Sequence, residues 1–409
     1  MSDRYQCLFG ILDQSALHRA DKAQLRDQNL ALLLRKIWAG PETTRASLAR
    51  DTGLSRSSVS SLVDELIDMS LVQERGEGIS TGGRKPTLVQ FNYQAKYILG
   101  LDIGASHIGV LLMDLNGQVI HWKQEDCPVR DQPAQALQKL KDLEQAIYED
   151  SHIDQSQLLG VGVAVPSPIS PQNPRYLSPT FMPAWQDIDL IKALDFPQNL
   201  TLVIDNDANL GALAEVWWGA GQGCHHLAFI KLGTGIGSGF IIDGKVFRGY
   251  GGSAGELGHM VIDPEGAKCV CGLQGCLATF VGSQPILDLA HSFGLNSSDL
   301  KELIATLKEG HPKAREVITK TAYKLGLAVA SLMNMMNPER VILGGELALA
   351  ADTLLHPLRE CVQSRSLWSS VSNSSILTST LGEQVIALGA ATAVLQKALT
   401  QPKSIFMDR

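Results

Sequence analysis

Two stretches of this 409-residue chain repeat one design, and that repetition restricts the fold more than any other feature. The first runs from Leu99 through Asp102, Gly104, Ala105 and Ser106 to Asn116 and Gly117. The second runs from Ile230 through Gly233, Thr234, Gly235 and Gly237 to Asp243 and Gly244. Each reads as strand, glycine loop, strand and then an Asn-Gly or Asp-Gly hairpin turn. A duplication of this kind, with helical segments interleaved, predicts two related α/β lobes facing one another. Glycine loops expose backbone N–H groups to phosphate oxygens because no Cβ blocks the approach. Gly233, Thr234, Gly235 and Gly237 are therefore the candidate phosphate loop, although tight turns also use glycine for steric reasons alone.

Between the two loops, Asp205, Asn206, Asp207 and Asn209 follow the apolar run Thr201 to Ile204 and open a helix directed toward Trp217. Carboxylates and amides at a strand end can grip vicinal sugar hydroxyls, and one carboxylate can deprotonate a hydroxyl in phosphoryl transfer. Asp and Asn also cap helices, so at least one of these residues is expected only to cap. Further on, Glu256 and His259 precede a Cys269, Cys271, Cys276 knuckle. One imidazole and three thiolates at this spacing predict a closed, tetrahedral, structural Zn2+ site. Seven cysteines, an odd number with three crowded into eight positions, also favour a metal over a disulfide framework.

The first ninety residues have a different texture. Leu30, Leu33, Leu34, Ile37 and Trp38 recur at helical spacing before Gly40 and Pro41. Thr43 and Thr44 then cap a short helix through Leu48 and Ala49, Gly53 makes a sharp turn, and Ser55 caps a second helix that carries Val59, Leu62, Leu66 and Ile67 inward. The outward face near its start is expected to show Arg56, Ser57, Ser58, Ser60 and Ser61, short polar groups that can approach base edges and phosphates. A solvated, serine-rich side is the plain alternative. Strands over 71–74 and 87–91, joined by a loop with Arg84 and Lys85 at its tip, add a basic hairpin. The order helix, helix, turn, helix, basic hairpin resembles a winged helix-turn-helix. The DNA-binding residues read from it are Ser55, Arg56, Ser57, Ser58, Ser60, Arg84 and Lys85.

Charge agrees with a local rather than a global attraction to DNA. The chain carries 35 Lys and Arg against 42 Asp and Glu. Residues 1–90 hold 12 against 11, or +1, leaving 23 against 31, or −8, in the remainder. Apolar runs such as Leu158 to Pro166 fall short of the roughly 20 residues of a membrane span, and Cys7 to Leu12 is too short for a secretory segment. No membrane insertion and a cytoplasmic location are the expectation.

Together these segments resemble the ROK family (repressors, open reading frames and kinases) from about Arg26 to the end. The family's signature region is matched by Gly233 through His259, its zinc motif by His259, Cys269, Cys271 and Cys276, and its sugar-binding pair by Asn206 and Asp207. The run from Asn337 and Pro338 to Gly344 and Gly345 resembles the stretch lying beside the nucleotide in family kinases. The resemblance implies an actin-like body of two RNase H-like lobes and a homodimer or homotetramer. The family's repressors carry an N-terminal winged helix-turn-helix whose wing resembles Thr81 to Pro86. The implied organisation is an unassigned arm over 1–24, a winged helix-turn-helix over 25–94, a first lobe over 95–205 completed by helices over 386–409, and a second lobe over 206–385 with the zinc site.

Two positions depart from the family's kinases. Ala105 stands where the first phosphate loop usually has a second glycine, so a Cβ occupies a place where backbone would meet phosphate. Ala278 stands where many members have a glutamate that grips the sugar. The leading expectation is a repressor, not an enzyme, that binds operator DNA and takes a sugar or sugar phosphate through Asn206, Asp207, Glu256 and His259. The alternatives are an ATP-dependent sugar kinase with Asp207 as general base, and a repressor controlled by a protein partner.

Overall fold

The computed structural model describes residues 22–40, 42–77, 87–170 and 173–406. Most of the N-terminal arm and the wing tip with Arg84 and Lys85 lie outside the described residues. Helix α1 (Lys22–Ala39) buries Leu30, Leu33, Leu34, Ile37 and Trp38, the stripe its spacing predicts. It starts inside the segment assigned to the arm, because its first turn lies ahead of that apolar stripe. Strand β1 (Thr43–Thr44) leads into α2 (Arg45–Thr52), whose N-cap Thr44 accepts from the Ser47 N–H and whose C-cap Gly53 sits at φ 72°. Helix α3 (Arg56–Asp68) is capped by Ser55 and buries Val59, Leu62, Val63 and Leu66. Val63 is an addition to the predicted inward set, and Ile67 is only half-buried. Strands β2 (Val72–Glu77) and β3 (Thr87–Phe91) pair antiparallel, with β1 on the outer side of β3. This is a winged helix-turn-helix.

Gly53 holds the turn of that motif. Its left-handed backbone closes on the Ala49 carbonyl at 3.0 Å, and nothing crowds the position where a Cβ would stand. Gly53→Ala is therefore expected to cost only the strain of the left-handed conformation, about 1–2 kcal/mol. Thermal unfolding should show a Tm lowered by a few degrees with zinc content unaltered.

The body has two five-stranded sheets of one topology. The first comprises β4 (Tyr97–Ile103), β5 (His107–Asp114), β6 (Val119–Asp126), β7 (Leu158–Val165) and β8 (Thr201–Asn206), with α4 (Pro133–Ser151) on one face. Helix α5 (Asp207–Trp218) follows. The second sheet comprises β9 (Leu227–Leu232), β10 (Ile236–Ile242), β11 (Lys245–Phe247), β12 (Arg340–Gly344) and β13 (Ser375–Thr378). It is backed by α6 (Pro312–Met336) and α7 (Ala351–Arg365). The orders β6-β5-β4-β7-β8 and β11-β10-β9-β12-β13 are equivalent, a three-stranded antiparallel meander extended by two parallel strands. The duplicated glycine loops are the β4–β5 and β9–β10 connections.

After β13 the chain returns to the first lobe as α8 (Val385–Thr400) and α9 (Pro402–Phe406). Gly100 and Gly162 let α8 lie directly on the sheet, since a Cβ at either would stand 2.0 or 1.9 Å from the Ala387 or Ala390 carbonyl oxygen. Head and body share one apolar core, which runs from α1, α3 and the wing strands through Met113 and Leu115 to α5 and α8. Among the described residues no helix is long and apolar enough to cross a membrane.

Candidate functional site

Strand β8 ends where α5 begins, and Asn206 and Asp207 at that junction line a cleft of about 1050 Å³ between the lobes. Asn206, Asp207, Glu256 and His259 all line it, together with Phe181, whose ring packs on His259 at 5.2 Å between centroids. Asn206, one of the four polar residues of which at least one was expected to cap, is the N-cap of α5. Its Oδ1 accepts from the Ala208 and Asn209 N–H groups at 3.0 and 3.2 Å, and its Nδ2 donates to the Ser167 carbonyl at 3.3 Å. Asp205 faces away from this wall, held by Arg248 at 2.6 Å. Burial first, and then the neighbouring Asp207 charge, push the Glu256 carboxyl up to about 7.

Two carboxylate partners in the cleft were not recognised in the sequence. Lys231 Nζ lies 2.6 Å from Asp207 Oδ2, and His107 Nε2 lies 3.0 Å from Asp102 Oδ2. A lone lysine within an apolar strand gives no local sign of a carboxylate 24 positions away, so only proximity in the fold shows the pair.

The glycine loops differ from the expectation in one respect. Gly233 and Gly235 form the turn, closed by Gly233 N–H donating to the Gly235 carbonyl at 3.1 Å, and nothing crowds either Cα. Gly237 instead belongs to β10, paired with Lys231, where a Cβ would meet Ala208 at 3.2 Å. Gly237 lines the cleft with Gly233, Thr234 and Gly235, and its glycine also permits close packing on α5. In the first loop the His107 ring lies over Gly104, 2.4 Å from where a Cβ would stand. The two loops meet through the Ser106 and Thr234 hydroxyls, 3.1 Å apart.

The four predicted metal ligands converge. Nδ1 of His259 and the three cysteine sulfurs lie within 4.8 Å of one another, with Cys271 Sγ to Cys276 Sγ at 3.7 Å and Cys269 Sγ to His259 Nδ1 at 3.5 Å. Tetrahedral coordination with usual Zn–S and Zn–N lengths requires S–S and S–N edges of about 3.8 and about 3.6 Å. The residues present therefore fit a tetrahedral N/S metal centre. Burial and the neighbouring thiols push Cys276 up to about 12. With Nδ1 turned to the cluster, His259 Nε2 faces Glu256 at 3.9 Å, so the imidazole joins metal centre and cleft.

In the head, Arg56, Ser57 and Ser58 stand exposed on the first turn of α3. Ser55 Oγ is committed to the cap, accepting from Ser58 N–H at 3.1 Å. Ser60 departs from its predicted exposed place: it is half-buried beneath Arg45, which donates to its carbonyl and hydroxyl at 2.9 and 3.1 Å. Arg45 also pairs with Asp64 and Glu74, tying α2, α3 and β2 together. The exposed side of α3 thus changes sign along its length, from Arg56 to Asp64 and Asp68. Only its N-terminal turn suits a phosphate-lined groove.

Head and cleft are joined by α5. Its N-terminus is Asp207, and its last residues, Trp217 and Trp218, pack on Trp38 of α1 with ring centroids 5.5 and 6.3 Å apart. Trp38 Nε1 donates to the Leu115 carbonyl at 2.7 Å, and Tyr93 Oη donates to the Trp38 carbonyl at 3.0 Å.

A winged helix-turn-helix continuous with a two-lobed, actin-like body defines the class: a DNA-reading head on a sugar-kinase scaffold. Residues 98–397 match the family model described as ROK family, and the chain belongs to that family. It is similar to the xylose repressor of Caldicellulosiruptor bescii, with 32% identity over 93% of this chain and 98% of the relative. A crystal structure of a ROK family transcriptional regulator, a homologue of the E. coli MLC protein, superposes with TM-score 0.77 at 26% identity, covering 92% of this chain and 97% of that one. The glucokinase of Halalkalibacterium halodurans is 29% identical, and 98% of it is matched by only 75% of this chain.

Proposed function

We propose that this chain is a sugar-responsive transcriptional repressor of carbohydrate genes, whose winged helix-turn-helix binds an operator while a sugar occupies the cleft. The observation that carries the reading is α5, one helix with a cleft carboxylate at its start and the head's tryptophan contact at its end. It spans about 18 Å at 1.5 Å per residue. A ligand that shifts Asp207 and the lobes displaces the seat on which α1 rests, and the two sites share a coupling free energy of typically about 1–3 kcal/mol. The full-length similarity to a repressor supports the same reading.

A sensor rather than a kinase fits the cleft. The Asp207 oxygen that would take a proton from a sugar hydroxyl is held by Lys231, the first loop carries Ala105 beneath the Ser106–Thr234 bridge, and no glutamate stands at Ala278. Zn2+ in the His259, Cys269, Cys271 and Cys276 site acts structurally, fixing the segment that presents Glu256 and His259 to the ligand. A homodimer places two heads on two half-sites.

Fluorescence anisotropy of the zinc-loaded protein on DNA from upstream of its own gene, across a salt series and with a sugar panel, tests the function. Binding tighter than to scrambled DNA, weakened by salt and altered by one sugar, is expected. No preference under any condition sinks the repressor reading, and ATP-dependent sugar phosphorylation would establish the kinase instead. Arg56→Ala should weaken operator binding about tenfold while leaving sugar binding intact. An unchanged affinity would remove the first turn of α3 from the DNA interface.

A further inference from the structure

Lys231 sits in a central strand, hydrogen-bonded between β10 and β12, where a lysine side chain is costly unless paired. Its side chain is 18% exposed, and those of Asp207 and Asp102 are 8% and 2% exposed. All three line the cleft. Burial disfavours the ammonium, but the Asp207 and Asp102 carboxylates outweigh it and hold Lys231 above its ordinary range. Lys231 directs one proton at Asp207 Oδ2, and an ammonium has three. Asp102 spends Oδ2 on His107, while its buried Oδ1 has no hydrogen-bond partner. One wall of the cleft therefore presents surplus donors beside an unmatched acceptor.

We propose that Lys231 is a specificity-determining residue which, with Asp102 and Asp207, forms a hydroxyl-reading wall that selects an uncharged sugar over its phosphate ester. The inference rests on the sugar-sensing reading of the cleft. A hydroxyl accepts from Lys231 and donates to Asp102 Oδ1, matching both groups at once. A phosphate dianion only accepts. It leaves Asp102 Oδ1 unpaired and sets negative charge beside the Asp102 and Asp207 carboxylates. A site built to exchange hydrogen bonds with a hydroxyl discriminates strongly against an analogue that cannot complete them.

The test is calorimetric titration of the full-length, zinc-loaded protein with xylose, glucose and N-acetylglucosamine, and with the terminal phosphate ester of each. At least one parent sugar should bind about tenfold or more tightly than its ester. Lys231→Met should weaken that sugar about tenfold or more, with zinc content unchanged as the control for folding. Equal or tighter binding of the ester overturns the proposal and leaves the sensor reading standing. Undiminished sugar binding by the Lys231→Met chain also overturns it. No binding of any sugar or ester overturns the sensor reading and this inference together. If the variant does not fold, the wild-type ratio of sugar to ester decides alone.

Discussion

Trp38→Ala should lower the stability of the chain by about 3–5 kcal/mol, the cost of truncating a buried tryptophan, and should abolish the effect of sugar on operator binding. Trp38 is fully buried where α1 of the head meets Trp217 and Trp218 at the end of α5. Its indole also satisfies the Leu115 carbonyl in the turn between β5 and β6. The substitution removes the packing and leaves that carbonyl unmatched. Trp38→Phe separates the two effects, since it keeps an aromatic contact and forfeits the hydrogen bond, for about 1 kcal/mol. Chemical denaturation gives the stability, calorimetry gives the sugar affinity, and anisotropy with and without sugar gives the response. The expected pattern is retained sugar affinity with a DNA affinity that no longer depends on sugar. A Trp38→Ala chain that still responds fully would show that the signal does not travel through α5.

The second large effect belongs to the metal centre. Cys276→Ser should yield protein with well below one zinc per chain and lose the sugar response, while the head still binds DNA. A metal held there would contribute folding free energy, because its ligands are brought together only in the folded chain; in small zinc peptides binding is worth roughly 10–16 kcal/mol. Here the knuckle orders a local segment, and the separate cores of the lobes persist without it. The loss should therefore fall on Glu256 and His259, which that segment presents to the cleft. Metal analysis and sugar titration of the variant, and of wild-type protein after chelation, check this. Full zinc content in the Cys276→Ser chain would remove Cys276 from the ligand set, and an intact sugar response without zinc would separate the metal from the cleft.

Much of this was legible in the sequence, for reasons that differ by residue. The metal quartet was readable because three of its members lie within eight positions, where loop geometry alone brings thiols together. The caps Thr44, Ser55 and Gly53 were readable because each bonds to backbone only a few residues away. The duplicated strand, loop, strand units announced the paired sheets. Ser60 was placed by the same local logic as an exposed residue, and it is half-buried. The guanidinium that covers Ser60 comes from Arg45 on another helix.

Patterns of spacing and polarity thus determined the head, the two-lobed body, the His259 and cysteine cluster and the polar run at Asp207, because covalent connectivity keeps their partners close. Tertiary structure alone decided the Lys231–Asp207 pair, the Ser106–Thr234 bridge and the seating of Trp38 on Leu115, whose partners are 24, 128 and 77 positions apart. Contacts at such separations form only when many other segments fold, and no single stretch of chain encodes them.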